Sequence, residues 1–519
     1  MSIKRFLAIA LVLCMAFGMT ACGSSESEKS SGDVQGSESQ GKDSIVLAAN
    51  REPASLDPAA VTVSYATLIE SNIYDCLLQF DADCNVVSDL AESWKQLDDL
   101  TWQFNLKKGI KFHNGEEMTS KDVLFSYKRL YDQPTGSKYV SSIDPEGFQT
   151  PDDYTFILKT NEPFVYLESY VCENTLSILS EKAVTEMGDE KYARNPVGTG
   201  PYKFVSWASG DNITLESWDG YYGKPAKIKN VICKFITENS ARTINLESGE
   251  VDFVFDLQES DADRITNGAD TKTYIGAGAT NRYFAFNCQH DVFKDVRVRK
   301  AMIMATDLES IRQLAYPTAE PSAWTVVPPG LEGRRTDLKP VAYDPEGAKA
   351  LLKEAGVGDG FSVYYIYLAS TVNNMVAEAI QAMWKEVGVT LELTPLESAT
   401  LSTAMNNQEQ DFCLAGTSVA SFQAGQGLFD FFHTDSIGST SNRSYLANPD
   451  VDSIIDQIMA EFDKDKRSEL VGEAQEMIHD LYPIMIIGHT SYIVGMRKNV
   501  QGFEFTPTQR YDLSKLYFE

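Results

Sequence analysis

Between Tyr343 and Leu396 the chain alternates two kinds of periodicity, and that alternation limits its fold more than any other feature. In YDPEGAKALLKEAGV, Asp344 is placed to cap a helix and Pro345 suits its first turn; Ala348, Leu351, Leu352 and Ala355 share one face, and Gly356 stops the run. FSVYYIYLAS then reads as a strand, and Met375 to Val387 as a helix with Val376, Ile380, Met383 and Val387 inward. TLELTPL reads as the next strand. Strand, helix, strand at this spacing needs a crossover, which makes the strands parallel and covers their sheet with helices. The expected class is α/β.

Upstream the period falls to two. Trp102, Phe104 and Leu106 alternate with Gln103, Asn105 and Lys107, and Tyr154, Phe156 and Leu158 repeat the pattern, as half-buried antiparallel strands do. IVLAANREPASLDPA opens extended, and Thr67 to Leu78 reads as a helix burying Leu68, Ile69, Ile73, Leu77 and Leu78. GIKFHNGEEMTSKDVLFSYKRL reads as a strand, a turn at Asn114-Gly115 and a helix capped by Thr119 or Ser120, with Val123, Leu124, Tyr127 and Leu130 inward. In NPVGTGPYKFVSW, Tyr202 and Lys203 lead into a strand rather than a helix, so the glycines do not form a phosphate-binding loop. Two late helices, Val451 to Phe462 and Lys466 to Leu481, precede the strand-like PIMIIGHTSYIVGM. The chain thus leaves a mixed sheet near Asn281 to Asn287, builds an α/β unit and returns near Pro483 to His489. Two such passages make a hinge, and a crevice between domains is where a small ligand binds.

The N-terminus reads as an export signal: basic Lys4 and Arg5, apolar Phe6 to Phe17, then MTAC. The apolar run is shorter than the roughly 20 residues that span a bilayer. MTAC resembles a bacterial lipobox, which would make residues 1–21 the signal peptide and Cys22 the lipid-carrying first residue. Residues 22–42, rich in Gly and Ser, would form a flexible tether of roughly 25 Å reach. The formal charge is −29, and cleavage removes Lys4 and Arg5 and no acids, so nucleic acid is excluded as a partner. The remaining cysteines, Cys76, Cys84, Cys172, Cys233, Cys288 and Cys413, show no C-x-x-C spacing, and their pairing stays open.

ASLDPA, LAESW, GIKFHNGEEMTSKDV, NPVGTGPYKF, NRYFAFN, DVRVRKAM, YDPEGAKALLKEAG and AEAIQAMWKEVGV, in this order, resemble the family-5 extracellular solute-binding proteins of ABC importers, of peptide and nickel type. The resemblance spans residues 45 to 519. It implies a two-lobed periplasmic-binding-protein-like fold of the second type with an extra mixed-sheet subdomain. Residues 43–283 with 484–519 would form lobe I, including the subdomain at about 81–195, and 284–483 lobe II. The implied activity is capture of a solute, an oligopeptide first, by hinge closure and its delivery to permease subunits. A neutral oligosaccharide, a metal chelate or a sensing role on the same fold are the alternatives. The protein would act as a monomer, lipid-anchored on the outer face of the cytoplasmic membrane in a Gram-positive cell.

The resemblance also implies where the ligand sits: Ser64 and Tyr65 after the LDP loop, Asn281, Arg282 and Tyr283 at the hinge, Trp324, and Ser418, Ser421, Phe422 and Gln423. Phe412 to Phe429 reads FCLAGTSVASFQAGQGLF, without Asp, Glu, Lys, Arg or His and without helical period. Peptide-binding members carry an aromatic and an amine-pairing aspartate there, whereas this chain has Thr417 and then Ala420 or Ser421. Dipeptide binders also place a carboxylate-binding arginine before the helix near Met375, and Phe361 to Met375 contains none. A buried ammonium or carboxylate without a partner costs several kcal/mol, on the order of 3–5, so a short zwitterion held by both ends is not expected. Arg282 could neutralise an acidic ligand or serve a structural ion pair. The five histidines show no metal-ligand spacing, and neither G-x-S-x-G nor H-E-x-x-H occurs, so no metal, cofactor or catalytic residue is expected.

Overall fold

The computed structural model describes residues 42–519 except 61–63, 134–135, 322–323, 420–422 and 439–440. The export signal, Cys22, nearly all of the tether, Ser421 and Phe422 lie outside the described residues.

One eleven-stranded sheet organises the chain: β1 (Ser44–Ala49), β2 (Tyr202–Ala208), β3 (Asn212–Ser217), β4 (Asn230–Phe235), β5 (Phe253–Val254), β6 (Thr271–Phe286), β7 (Glu320–Pro321), β8 (Phe361–Leu368), β9 (Val389–Leu396), β10 (Phe412–Ser418) and β11 (Ile484–Arg497). The order is β9-β8-β10-β6-β11-β5-β1-β4-β3-β2, with β7 beside β11. Strands β8, β9 and β10 are mutually parallel, and so are β5, β1 and β4. The long antiparallel pair β6 and β11 separates these two sets.

The antiparallel steps in between make the two parallel sets run in opposite directions. At the C-terminal end of β10, Ser418 is opposite Thr280; at that of β5, Val254 is opposite Gly495. Both sets therefore aim their C-terminal ends at the middle of β6 and β11. There the register shifts between Ala277 and Asn281.

Local signals explain the helices. Asp344 accepts from the Gly347 amide and opens Pro345–Glu354, and Gly356 takes a φ of 84° just past its end. Helix Thr371–Glu386 starts earlier than Met375 because the Ser370 side chain caps it through Asn373 N. Thr119 and Asp122 form a reciprocal capping box on Ser120–Tyr131. That helix buries Val123, Tyr127 and Leu130 against Phe104 and Phe156 of a separate antiparallel sheet, ordered 91–98, 101–106, 155–159, 149–152.

Two expectations about helices are corrected. The helix read over Thr67 to Leu78 ends at Glu70, having begun at Ser64. Beyond it, the carbonyls of Asn72 and Ile73 accept from Tyr202 N and Gly200 N, which draws this backbone out of the helix. The second half of the charge-free segment, read as aperiodic, forms helix Ala424–Phe432. Gly425 and Gly427 let it approach Tyr166 and Val419, so tertiary contact rather than periodicity selects it.

The core joins distant parts of the chain. Ile45 and Leu47 share a cluster with Leu513 and Leu516. Along β6, Phe284 and Phe286 pack with Trp384, while Tyr283 and Ala285 pack with Phe431. The six cysteines from Cys76 to Cys413 are free thiols.

Candidate functional site

Where the strand ends converge there is a cavity of about 400 Å³. Arg282 of β6 and Thr490 and Ser491 of β11 line it. Gln258 and Glu259, just beyond β5, Leu368, Ser370 and Asn373, at and beyond the end of β8, and Tyr316 and Thr318 line it as well. A crevice outside the carboxyl ends of sheet strands is the place where open α/β sheets bind ligands.

Arg282 owes its position to a glycine. It pairs with Gly416 in the β6–β10 register, and a Cβ on Gly416 would stand 2.2 Å from Arg282 Nη1. The guanidinium lies across the bare backbone of Gly416, 5.9 Å from the centroid of the Tyr316 ring. It makes no hydrogen bond or ion pair with any described residue, and its Nε is buried without a partner. Tyr316 donates to Asn373 Oδ1 at 3.3 Å, and burial raises its phenol above the ordinary range against the opposing pull of Arg282. Across the cavity, one oxygen of Glu259 accepts from both the amide and the hydroxyl of Thr318 at 2.5 Å. Ser491 Oγ donates to the Thr318 carbonyl at 2.6 Å, tying the same loop to β11.

Of the residues expected at the ligand, Arg282 lines this cavity. Alternation along β6 turns its neighbours elsewhere. Asn281 is fully buried and donates to the Val326 carbonyl at 2.8 Å. Tyr283 is buried, with its hydroxyl 3.1 Å from Thr417 Oγ1 and its ring against Phe431. Trp324 is buried beside a small separate cavity with Gln475, His479 and Tyr482. Ser64 begins helix Ser64–Glu70, and Tyr65 packs against the cluster of Ile45 and Val494. Ser418 is exposed, its hydroxyl 2.7 Å from that of Thr280. Gln423 is buried at the start of helix Ala424–Phe432.

The expectation that a zwitterion would find no charged partners, drawn from the segments 412–429 and 361–375, does not describe this cavity, which carries Arg282 and Glu259. Glu259, Thr318, Ser370, Asn373 and Ser491 were not foreseen. Glu259 and Ser370 each follow a strand end by a few residues, a signal that becomes readable only once strand ends and order are known.

The fold and its crevice define a class: a mixed α/β periplasmic-binding-protein architecture, shared with HbpA2 from Haemophilus parasuis at a TM-score of 0.84 and 24% identity, over 92% of this chain and 100% of that one. Residues 85–439, more than half of the chain, match the family described as bacterial extracellular solute-binding proteins, family 5 Middle, and the chain belongs to that family of solute binders. It is similar along its length to Oligopeptide-binding protein AppA of Bacillus subtilis (strain 168), at 26% identity over 96% of both chains. It is also similar to the Dipeptide-binding protein of Escherichia coli (strain K12), at 28% identity over 92% of this chain and 94% of that one. The family places its work outside the cytoplasm.

Proposed function

We propose that this protein captures oligopeptides outside the cell for an ABC importer, residues 43–283 with 484–519 and residues 284–483 acting as two lobes that close on the solute. The observation that carries this reading is the convergence of two oppositely directed parallel strand sets on the middle of β6 and β11, with a polar cavity at the junction. End-to-end similarity to proteins named for oligopeptide and dipeptide binding supports the ligand class. Delivery to separate permease subunits, anchoring through Cys22 and action as a monomer belong to the same proposal. A thermal-shift screen of the purified protein against peptide, oligosaccharide and metal-chelate libraries tests it, because a ligand that prefers the folded state raises Tm by mass action. Peptides should give the shifts. Shifts confined to glycans or chelates would replace the proposed ligand class.

A further inference from the structure

We infer that Tyr166 is a reversible latch between the two proposed lobes, so that parting them draws its ring out of a socket on the other side. The inference rests on the capture reading above only in taking residues 43–283 with 484–519 and residues 284–483 as the bodies that move. Tyr166 belongs to the first body; Glu332, Gly425 and Arg467, which form the socket, belong to the second. The socket is complete without the tyrosine. Glu332 holds Arg467 through two hydrogen bonds of 2.8 and 3.0 Å, and Arg467 Nη1 donates to the Glu461 carbonyl at 2.9 Å, so the guanidinium is fixed whether or not a ring lies beneath it. The Tyr166 ring centroid stands 4.9 Å from that guanidinium, within the range at which a cation is drawn to a ring face. The Tyr166 hydroxyl accepts from the Gly425 amide at 2.9 Å. Gly425 lies in the first turn of helix Ala424–Phe432, where amides have no partner in the helix itself. Withdrawing Tyr166 therefore frees one amide and one hydroxyl for water and leaves no charge unpaired, and an exchange of that kind has a small net cost. Gly425 itself points to docking. Glycine weakens a helix, yet a Cβ here would stand 2.5 Å from Tyr166 Oη and equally close to Ile458 Cγ2. Two more contacts cross the same boundary. Phe462 packs half-buried against the core cluster of the small antiparallel sheet, and Cys84 Sγ lies 4.0 Å from the place a Cβ on Gly330 would take. None of these groups belongs to β6 or β11, the strands that carry the chain between the bodies.

Small-angle scattering and hydrogen exchange on the purified protein, with no peptide added, compare the wild type with Tyr166→Phe and Tyr166→Leu. Circular dichroism and Tm establish that each variant is folded. Tyr166→Phe removes the hydroxyl alone, and Tyr166→Leu removes the ring as well. The radius of gyration should rise from the wild type through Tyr166→Phe to Tyr166→Leu. Amides of β6 and β11 about the register shift at 277–281 should exchange about 5-fold faster in Tyr166→Phe, the factor that one such hydrogen bond implies. An unchanged radius of gyration, with faster exchange confined to residues 424–428, overturns the latch and leaves Tyr166 as a support for one helix. Should Tyr166→Leu fail to fold, Tyr166→Phe decides by the same two readings. Peptide capture is read separately in the thermal-shift screen. Peptide shifts together with unchanged scattering of the variants remove the latch alone, whereas expanded variants of a protein that no peptide shifts keep the latch and remove peptide capture.

Discussion

Glu70 is fully buried at the end of helix Ser64–Glu70, where one carboxyl oxygen accepts from Asn174 Nδ2 at 2.7 Å. Burial pushes its carboxyl from an ordinary 4.5 up to about 8, with Asp57 adding to the rise and the Asn174 bond opposing it. The folded protein therefore holds a proton there that the unfolded chain releases near 4.5. Stability from this group is complete below that value and is lost as pH rises through 8. Glu70→Gln, which mimics the protonated form, should match the wild type near pH 5 and exceed it at pH 8.5 by on the order of 3–5 kcal/mol, read from urea melts at the two pH values. Two histidines, His113 half-buried and His489 fully buried, act at the other end. His113 accepts from Gly198 N at Nδ1 and bonds the Gly200 carbonyl through Nε2, and burial lowers it to about 4; burial lowers His489, between Asn281 and Glu320 on adjacent strands, to about 3. Both are neutral when folded and protonate near 6.5 when unfolded, so their neutral burial costs stability progressively as pH falls below that value. Asp57 of the LDP motif has a structural task, accepting from both ends of the buried Arg129 guanidinium.

The turn NPVGTG shows why an element can demand glycine without binding anything. A Cβ on Gly198 would lie 2.0 Å from the Ile73 carbonyl oxygen, and one on Gly200 2.7 Å from that of Asn72. These are the carbonyls at which the preceding helix is drawn open, so the glycines let one segment dock directly on another's backbone. Gly198→Ala should cost about 3 kcal/mol, the upper end for overpacking against atoms that cannot move aside. Gly210, in the β2–β3 turn, has a φ of 77° and nothing within 4 Å of its missing Cβ. Gly210→Ala should cost only about 1 kcal/mol, the backbone strain alone. Urea midpoints of the two variants compare these directly, and equal losses would refute the docking explanation.

At the scale of the whole molecule, a tyrosine from the segment after the small antiparallel sheet reaches the helices beyond β10. Tyr166 accepts from the Gly425 amide at 2.9 Å and lies 4.9 Å beneath the Arg467 guanidinium, which is itself held by Glu332 at 2.8 and 3.0 Å. Helix Ala424–Phe432 therefore has one amide of its first turn satisfied from another part of the fold. Tyr166→Phe leaves the Gly425 amide buried without a partner, a loss of about 1–3 kcal/mol. Hydrogen exchange should quicken over residues 424–428 while the strand 101–106 keeps its protection. Unchanged exchange at Gly425 would mean that the hydroxyl does not hold the helix.

Near-neighbour chemistry was enough to establish the cap at Asp344, to narrow the other to Thr119 or Ser120, and to establish the alternation in Thr101–Leu106, the strand–helix–strand unit from Phe361 to Leu396 and the resemblance to a solute-binding family. Each depends on residues a few positions apart, whose spacing is printed in the chain. Tertiary structure alone decided that Arg282 rests on Gly416, that Glu259 meets Thr318 and that Ala424–Phe432 coils into a helix. Those outcomes depend on register and close approach between segments many residues apart, and a shift of one residue in a strand would have turned Arg282 to the opposite face.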